Sequence, residues 1–179
     1  MLSNILIGLA VLVVVFIIVV AARPDSFRVT RSITIPAPAE VVFAQVNDLH
    51  KWEAWNPWGK LDPACKLTYE GPAAGAGAGY TWAGNNKVGE GHMTITESRP
   101  NELIRFNLEF LKPFKANNTA EFNFTSDGDQ TTVSWSMAGK RNFMFKAVGL
   151  FMDTDKMVGS DFEKGLADLK SVAEALNRK

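Results

Sequence analysis

Hydrophobic positions along the chain change period twice. Residues 2–22 are apolar except for Ser3, Asn4 and Gly8, and the first charged residue is Arg23. Coiled as a helix, these 21 residues would reach about 31 Å, the thickness of a bilayer's hydrocarbon core. The period then drops to two. Phe27, Val29, Ile33 and Ile35 alternate with Arg28, Thr30, Ser32 and Thr34, which predicts a strand. Pro36 and Pro38 end it, and Val42, Phe43 and Val46 predict a helix over Ala39–Asn47, followed by a short helical or turn segment around Leu49–Trp55. From Lys66 the chain reads as strands: Lys66–Glu70, Gly79–Ala83, Val88–Ser98, Leu103–Leu111, a segment holding Ala120, Phe122 and Phe124, and another holding Val133, Trp135 and Met137. Ser126-Asp127-Gly128-Asp129 is a hairpin signal between the last two. Phe143–Met152 is strongly apolar, and after Asp153 the residues Val158, Phe162, Leu166, Leu169, Ala173 and Leu176 step by three or four, the stripe of an amphipathic helix.

Strands joined by short turns pair antiparallel, because parallel neighbours need long crossovers. The apolar face of such a sheet has an obvious cover in the terminal helix. The expected architecture is therefore α+β, with residues 1–22 as a transmembrane anchor, 23–26 as a short linker and 27–179 as one domain. The rival for the first segment is a cleavable signal peptide, for which Val20-Ala21-Ala22 would supply the small residues. Its lack of Lys or Arg in Met1–Asn4 and its long apolar run favour the anchor. Arg23, Arg28 and Arg31 follow the span closely, which predicts a single-pass membrane protein with its domain on the cytoplasmic side.

Charge and composition narrow the function classes. The 19 basic and 19 acidic residues balance, which argues against a nucleic-acid partner. A single cysteine, Cys65, excludes an internal disulfide framework and a four-cysteine zinc site.

Three stretches carry a family likeness. Ile33-Thr-Ile-Pro-Ala-Pro-Ala-Glu-Val-Val-Phe43 resembles a first strand entering a first helix, His50-Lys-Trp-Glu-Ala-Trp-Asn-Pro-Trp58 a Trp-rich segment after it, and Asp161-Phe-Glu-Lys-Gly-Leu-Ala-Asp-Leu-Lys170 the start of a final helix. Together with the element order they resemble the SRPBCC superfamily, which is START-related, pollen-allergen-like and polyketide cyclase/dehydrase-like. The resemblance covers about Phe27 to Leu176 and implies a helix-grip fold, a curved antiparallel sheet wrapped around a long C-terminal helix. It leaves activity open, since members include lipid carriers, cyclases and hydrolases.

Candidate chemistry is sparse. His50 and His92 are the only histidines, no nucleophile elbow surrounds a serine, and Cys65 lacks a catalytic signature, so neither a catalytic residue, a metal nor a cofactor is predicted. Gly75-Ala-Gly-Ala-Gly79 precedes a strand rather than a helix, which reads as a flexible hairpin connection. Asp153, Asp155, Asp161 and Glu163 read as a helix start, with Ser160 or Asp161 as cap. Strand parity places Arg31 on the apolar face, where it must reach water, a protein carboxylate or a ligand carboxylate; Glu97 beside Met93 and Ile95 has the same ambiguity.

Aromatic content is the most informative feature. Phe43, Trp55, Trp82, Phe106, Phe110, Phe122, Phe124, Trp135 and Met137 are the expected walls of a cavity. The leading expectation is binding, without catalysis, of a hydrophobic or amphipathic small molecule such as a lipid, in a hollow beneath the final helix. Phe143–Met152 is expected as core, or else as a lid meeting the bilayer or an entering ligand. The alternatives are a cyclase- or hydrolase-like enzyme using Glu97, His92 or Arg31, and a non-binding interaction module. The oligomeric state is left open.

Overall fold

The computed structural model describes residues 2–178. Helix α1 (Leu2–Ala21) leads, and its side chains from Ser3 to Val19 are exposed, with Val20 buried near its end. Among the described residues it is the one helix long and apolar enough to cross a membrane. Strand β1 (Ser26–Ile35), helix α2 (Ala39–Asn47) and a 3-10 helix over Leu49–Ala54 follow. Then come β2 (Lys66–Glu70), β3 (Gly79–Ala83), β4 (Glu90–Arg99), β5 (Leu103–Lys112), β6 (Ala116–Asp127) and β7 (Gln130–Lys140). Helix α3 (Phe143–Val148) and helix α4 (Thr154–Asn177) complete the chain.

All seven strands join one antiparallel sheet in the order β1-β7-β6-β5-β4-β3-β2. Alternation along each strand sends one set of side chains inward, as with Phe106 on β5, Phe122 on β6 and Trp135 on β7. Against this face lies α4, which runs along β1 and contacts α2. It buries Phe162, Leu166, Leu169 and Ala173, four residues of the expected stripe, while Leu176 at its end is exposed. This is the helix-grip arrangement.

The interior is built on aromatic stacking. Trp135 lies parallel to Phe162 of α4, 4.0 Å between ring centres, and stacks on Phe122 at 4.7 Å. Gly165 lets the helix come this close, since a Cβ there would stand 2.9 Å from the Trp135 ring. Trp52 and Trp55 wedge in from the 3-10 segment and its end. Their indole N–H groups donate to the carbonyls of Val46 and Gln45 at 2.9 and 3.2 Å, satisfying acceptors at the C-terminus of α2.

Four expectations need correction. Phe143–Met152 is not core: α3 has no buried residue, and Phe143, Met144, Phe145, Val148, Phe151 and Met152 are exposed. The physical reason is that α4 already covers the inner face, so the preceding segment is left at the end of the sheet beside α1. The last helix also starts earlier than Ser160. Asp153 is its cap, the side chain accepting from the N–H of Lys156 at 3.1 Å. Glu97 does not share a face with Met93 and Ile95, because a register shift between Ile95 and Glu97 turns it to the outer face. Finally, Gly71–Gly79 is a latched loop: Gly77 N–H donates to Ile95 at 2.8 Å and Gly75 N–H to Asn47 at 3.2 Å.

On the outer face Glu97 joins an ionic ladder. Arg105 bridges Glu97 and Glu121, Arg28 reaches Glu121 at 3.3 Å, and Arg99 reaches Glu97 at 3.3 Å. The hydrogen bond from Arg105 is the main reason the Glu121 carboxyl lies below the ordinary carboxylate range, with Arg28 adding to it. A lowered folded value means the stabilisation is complete above the unfolded value near 4.5 and fades as pH falls through the folded one. In detergent micelles, the urea midpoint of the full chain is expected to drop on acidification below this point. Glu121→Gln should flatten that drop, and parallel acid limbs would show that the ladder contributes nothing.

Candidate functional site

All nine predicted wall residues fall in or against a single apolar cluster. They differ in position. Phe43 of α2 meets Phe124 edge-on at 5.4 Å under the far end of the sheet. Trp55, Phe106, Phe122 and Trp135 form the centre, are essentially fully buried and touch one another ring to ring. Trp82, Phe110 and Met137 lie towards the other end, the one where β1 begins and β5 and β7 finish. There the inward side chains of β5 pass from the fully buried Phe106 to the half-buried Leu108 and Phe110. The protein's own rings thus occupy the centre of the region expected to be hollow, and exposure begins at this end.

Trp82 packs closely on β4 because Gly91 leaves room for its ring. It meets Phe110 edge-on at 5.7 Å and donates its indole N–H to Val88 at 3.3 Å. The ring lies over Gly91, where a Cβ would stand 2.3 Å from it and 2.4 Å from the carbonyl oxygen of Glu109.

One polar residue on this face was missed from the sequence. Asn118 points inward from β6, is 7 % exposed, and its Oδ1 is buried without a hydrogen-bond partner. Its Nδ2 reaches only the Met137 sulfur at 3.8 Å. Its strand partners are Leu108 and Gly139, and a Cβ on Gly139 would lie 1.9 Å from Oδ1. An unsatisfied buried acceptor costs about 1–3 kcal/mol. The available signal was parity, since Asn118 shares a face with Ala120, Phe122 and Phe124.

The polar candidates of the enzymatic alternative are not gathered here. Arg31 does point to the helix side of β1, but its guanidinium is taken by Glu163 at 2.7 Å and Asp155 at 3.0 Å on α4. It crosses the helix at Gly159, where a Cβ would stand 2.0 Å from Nη2. Glu97 belongs to the outer ladder. His92 also faces outward, with Nε2 2.6 Å from the Thr94 hydroxyl. Burial, with Asp62 nearby, pushes the Cys65 thiol up, the reverse of an activated thiolate. The inward positions of β4 to β7, from Gly91 to Met137, carry no titratable side chain.

Two cavities lie outside this surface. One, about 260 Å³, sits between Leu49, His50, Tyr69 and the Gly71–Gly79 loop, with the His50 and Tyr69 rings stacked at 4.0 Å. The other, about 280 Å³, is an open depression beside Met152, Asp153, Lys156 and Met157.

The fold agrees with the comparisons. The family model described as "Polyketide cyclase / dehydrase and lipid transport" matches residues 26–174, and the chain belongs to that family. No protein of curated function matches it. Among solved structures, the Mll3558 protein from Rhizobium loti is 16% identical with a TM-score of 0.63, over 82% of this chain and 96% of that one. The Aha1 dimer from Colwellia psychrerythraea is 17% identical with a TM-score of 0.54, over 84% and 96%. The di-domain ARO/CYC protein BexL of the BE-7585A biosynthetic pathway is 15% identical with a TM-score of 0.60, and the match spans 87% of this chain but 52% of that one. At such identities these likenesses establish the fold.

Because both the Trp82 indole and a backbone oxygen crowd the Gly91 position, Gly91→Ala should destabilise the domain by about 1–3 kcal/mol. A lowered thermal midpoint with loss of near-ultraviolet circular dichroism is the expected reading, and an unchanged midpoint would show that the indole is free to move.

Proposed function

We propose that this chain binds a hydrophobic or amphipathic, lipid-like small molecule on the inner face of its sheet, in a domain tethered to a membrane through residues 2–22. The observation that carries the reading is the unpartnered Oδ1 of Asn118, a buried acceptor set beside the apolar Leu108 and Met137. A hydroxyl or N–H of the ligand would satisfy it, while apolar contact, at roughly 25 cal/mol per Å² buried, supplies most of the affinity. In this reading Trp82, Phe110 and Met137 contact the ligand. Trp55, Phe106, Phe122 and Trp135 are the floor behind them, and Phe43 and Phe124 close the far side. Entry is at the end nearest α1, where Leu108 and Phe110 are half-buried. The basic residues following α1 are consistent with a domain on the cytoplasmic side.

A cyclase reading draws support from the family description and from BexL. Acid–base chemistry would then need a group from outside the inward positions of β4 to β7, and the non-catalytic reading is preferred for that reason.

Asn118→Leu separates function from stability. Removing an unsatisfied buried acceptor should raise the unfolding midpoint, whereas affinity for a dansyl-labelled fatty acid should fall roughly fivefold, the equivalent of one hydrogen bond. Mass spectrometry of the gently purified full chain is expected to show a co-purifying apolar molecule, depleted in Phe110→Ala. No such molecule across several preparations, and unaltered probe binding in both variants, would overturn the proposal.

A further inference from the structure

The exposed residues of the α3 region collect at one end of the molecule. Phe151 is 83 % exposed, Met144 60 % and Phe114 56 %. Phe114, in the β5–β6 turn, meets Phe145 edge-on at 5.8 Å, so turn and helix form one apolar surface. Surfaces of this kind rarely face water without a partner.

Three observations say what covers it. The first is continuity with α1: its Val20 is buried at the domain end, Lys146 of α3 donates to the Ala21 carbonyl at 3.5 Å, and Lys146 also pairs with Asp25. A span of 20 residues would be about 30 Å long, so its last turn lies at the level where a bilayer's hydrocarbon ends. Helix α3 contacts α1 at that end.

The second is charge. Lys115 stands beside Phe114, and Lys140 and Arg141 precede α3; Lys112 is paired with Glu90 and Lys146 with Asp25, so Lys115, Lys140 and Arg141 carry the patch. The third is the contrast with the other end of the sheet, where Asp127 and Asp129 lie at the β6–β7 turn and Glu102, at the β4–β5 turn, is paired with Arg99. The chain as a whole is neutral, so this is a separation of charge rather than a surplus.

From these we infer that the α3 region and the β5–β6 turn form a docking surface for an anionic lipid bilayer, the one that α1 enters. Phe114, Met144, Phe151 and Met152 dip into the acyl boundary while Lys115, Lys140 and Arg141 reach lipid phosphates. Docking would bring the half-buried Phe110 region close to the lipid. The inference extends the tether in the proposed function and is independent of whether a ligand binds.

The test uses the full chain with Cys65→Ser, reconstituted in phosphatidylcholine–phosphatidylglycerol vesicles. A nitroxide is placed singly by Leu12→Cys in the span, Phe151→Cys and Met144→Cys on the surface, and Asp129→Cys at the far end. Collision with oxygen, which concentrates in lipid, is compared with collision with an aqueous nickel chelate. Positions 144 and 151 should favour oxygen, and position 129 should favour nickel. The contrast at 151 should weaken in phosphatidylcholine alone, and an equal contrast in both lipids would overturn the anionic assignment. Lipid contact at 12 with nickel access at 144 and 151 would overturn docking and leave the tether standing. Nickel access at 12 would remove the tether and overturn the inference with it, since the bilayer named is the one that α1 enters. Shielding of 151 from both reagents would place a second copy of the chain there and overturn the inference.

Discussion

The structure depends on one contact more than any other, the parallel stacking of Trp135 between Phe122 of the sheet and Phe162 of α4. A sheet of seven antiparallel strands has no means of closing on itself here, since β1 and β2 are at opposite edges. It needs a rigid body to curl around, and α4 provides one only where backbone can approach ring. Gly165 permits that approach. Trp52 and Trp55 then lock α2 to the same cluster, because their indole N–H groups satisfy carbonyls that the end of α2 leaves free. Packing and hydrogen bonding at the centre thus reinforce a single geometry.

Ion pairs do different work on the two faces. On the outside, the Arg28–Glu121–Arg105–Glu97 ladder ties four strands together in surroundings open to water, where each pair contributes little and the network more than its parts. On the inside, Arg31 is half-shielded beneath α4 and is compensated by two carboxylates of that helix. Of the partners open to Arg31 from the sequence, protein carboxylates are the ones it meets, and it fastens β1 to α4.

Much of this was legible because alternation survives along the strands. Ile104, Phe106 and Leu108, or Phe122 and Phe124, announce both strand and inward face, and the Phe162–Ala173 stripe announces the helix that covers them. Legibility failed where one residue changed the count. The irregularity after Ile95 reverses the face of Glu97, and no spacing rule reveals it from a single chain. It failed again at Phe143–Met152, where composition suggests burial but the space is already taken. The nine predicted residues were recognisable as inward-facing apolar positions, yet how deeply each is buried depends on the depth of α4, a property of packing rather than of pattern. Asn118 was visible in principle, as a polar residue in phase with Ala120 and Phe122.

Glycine in the Gly71–Gly79 loop serves contact rather than freedom of movement. Gly71 has a φ of 77° and lies so near the Gly77 carbonyl that a Cβ would be 2.2 Å from that oxygen. With Asp48 bridged to Ala74 as well, the loop is a stiff lip on the cleft beside His50 and Tyr69. A molecule entering there would meet a preformed mould and be selected by its outline, paying little entropy to reshape the host.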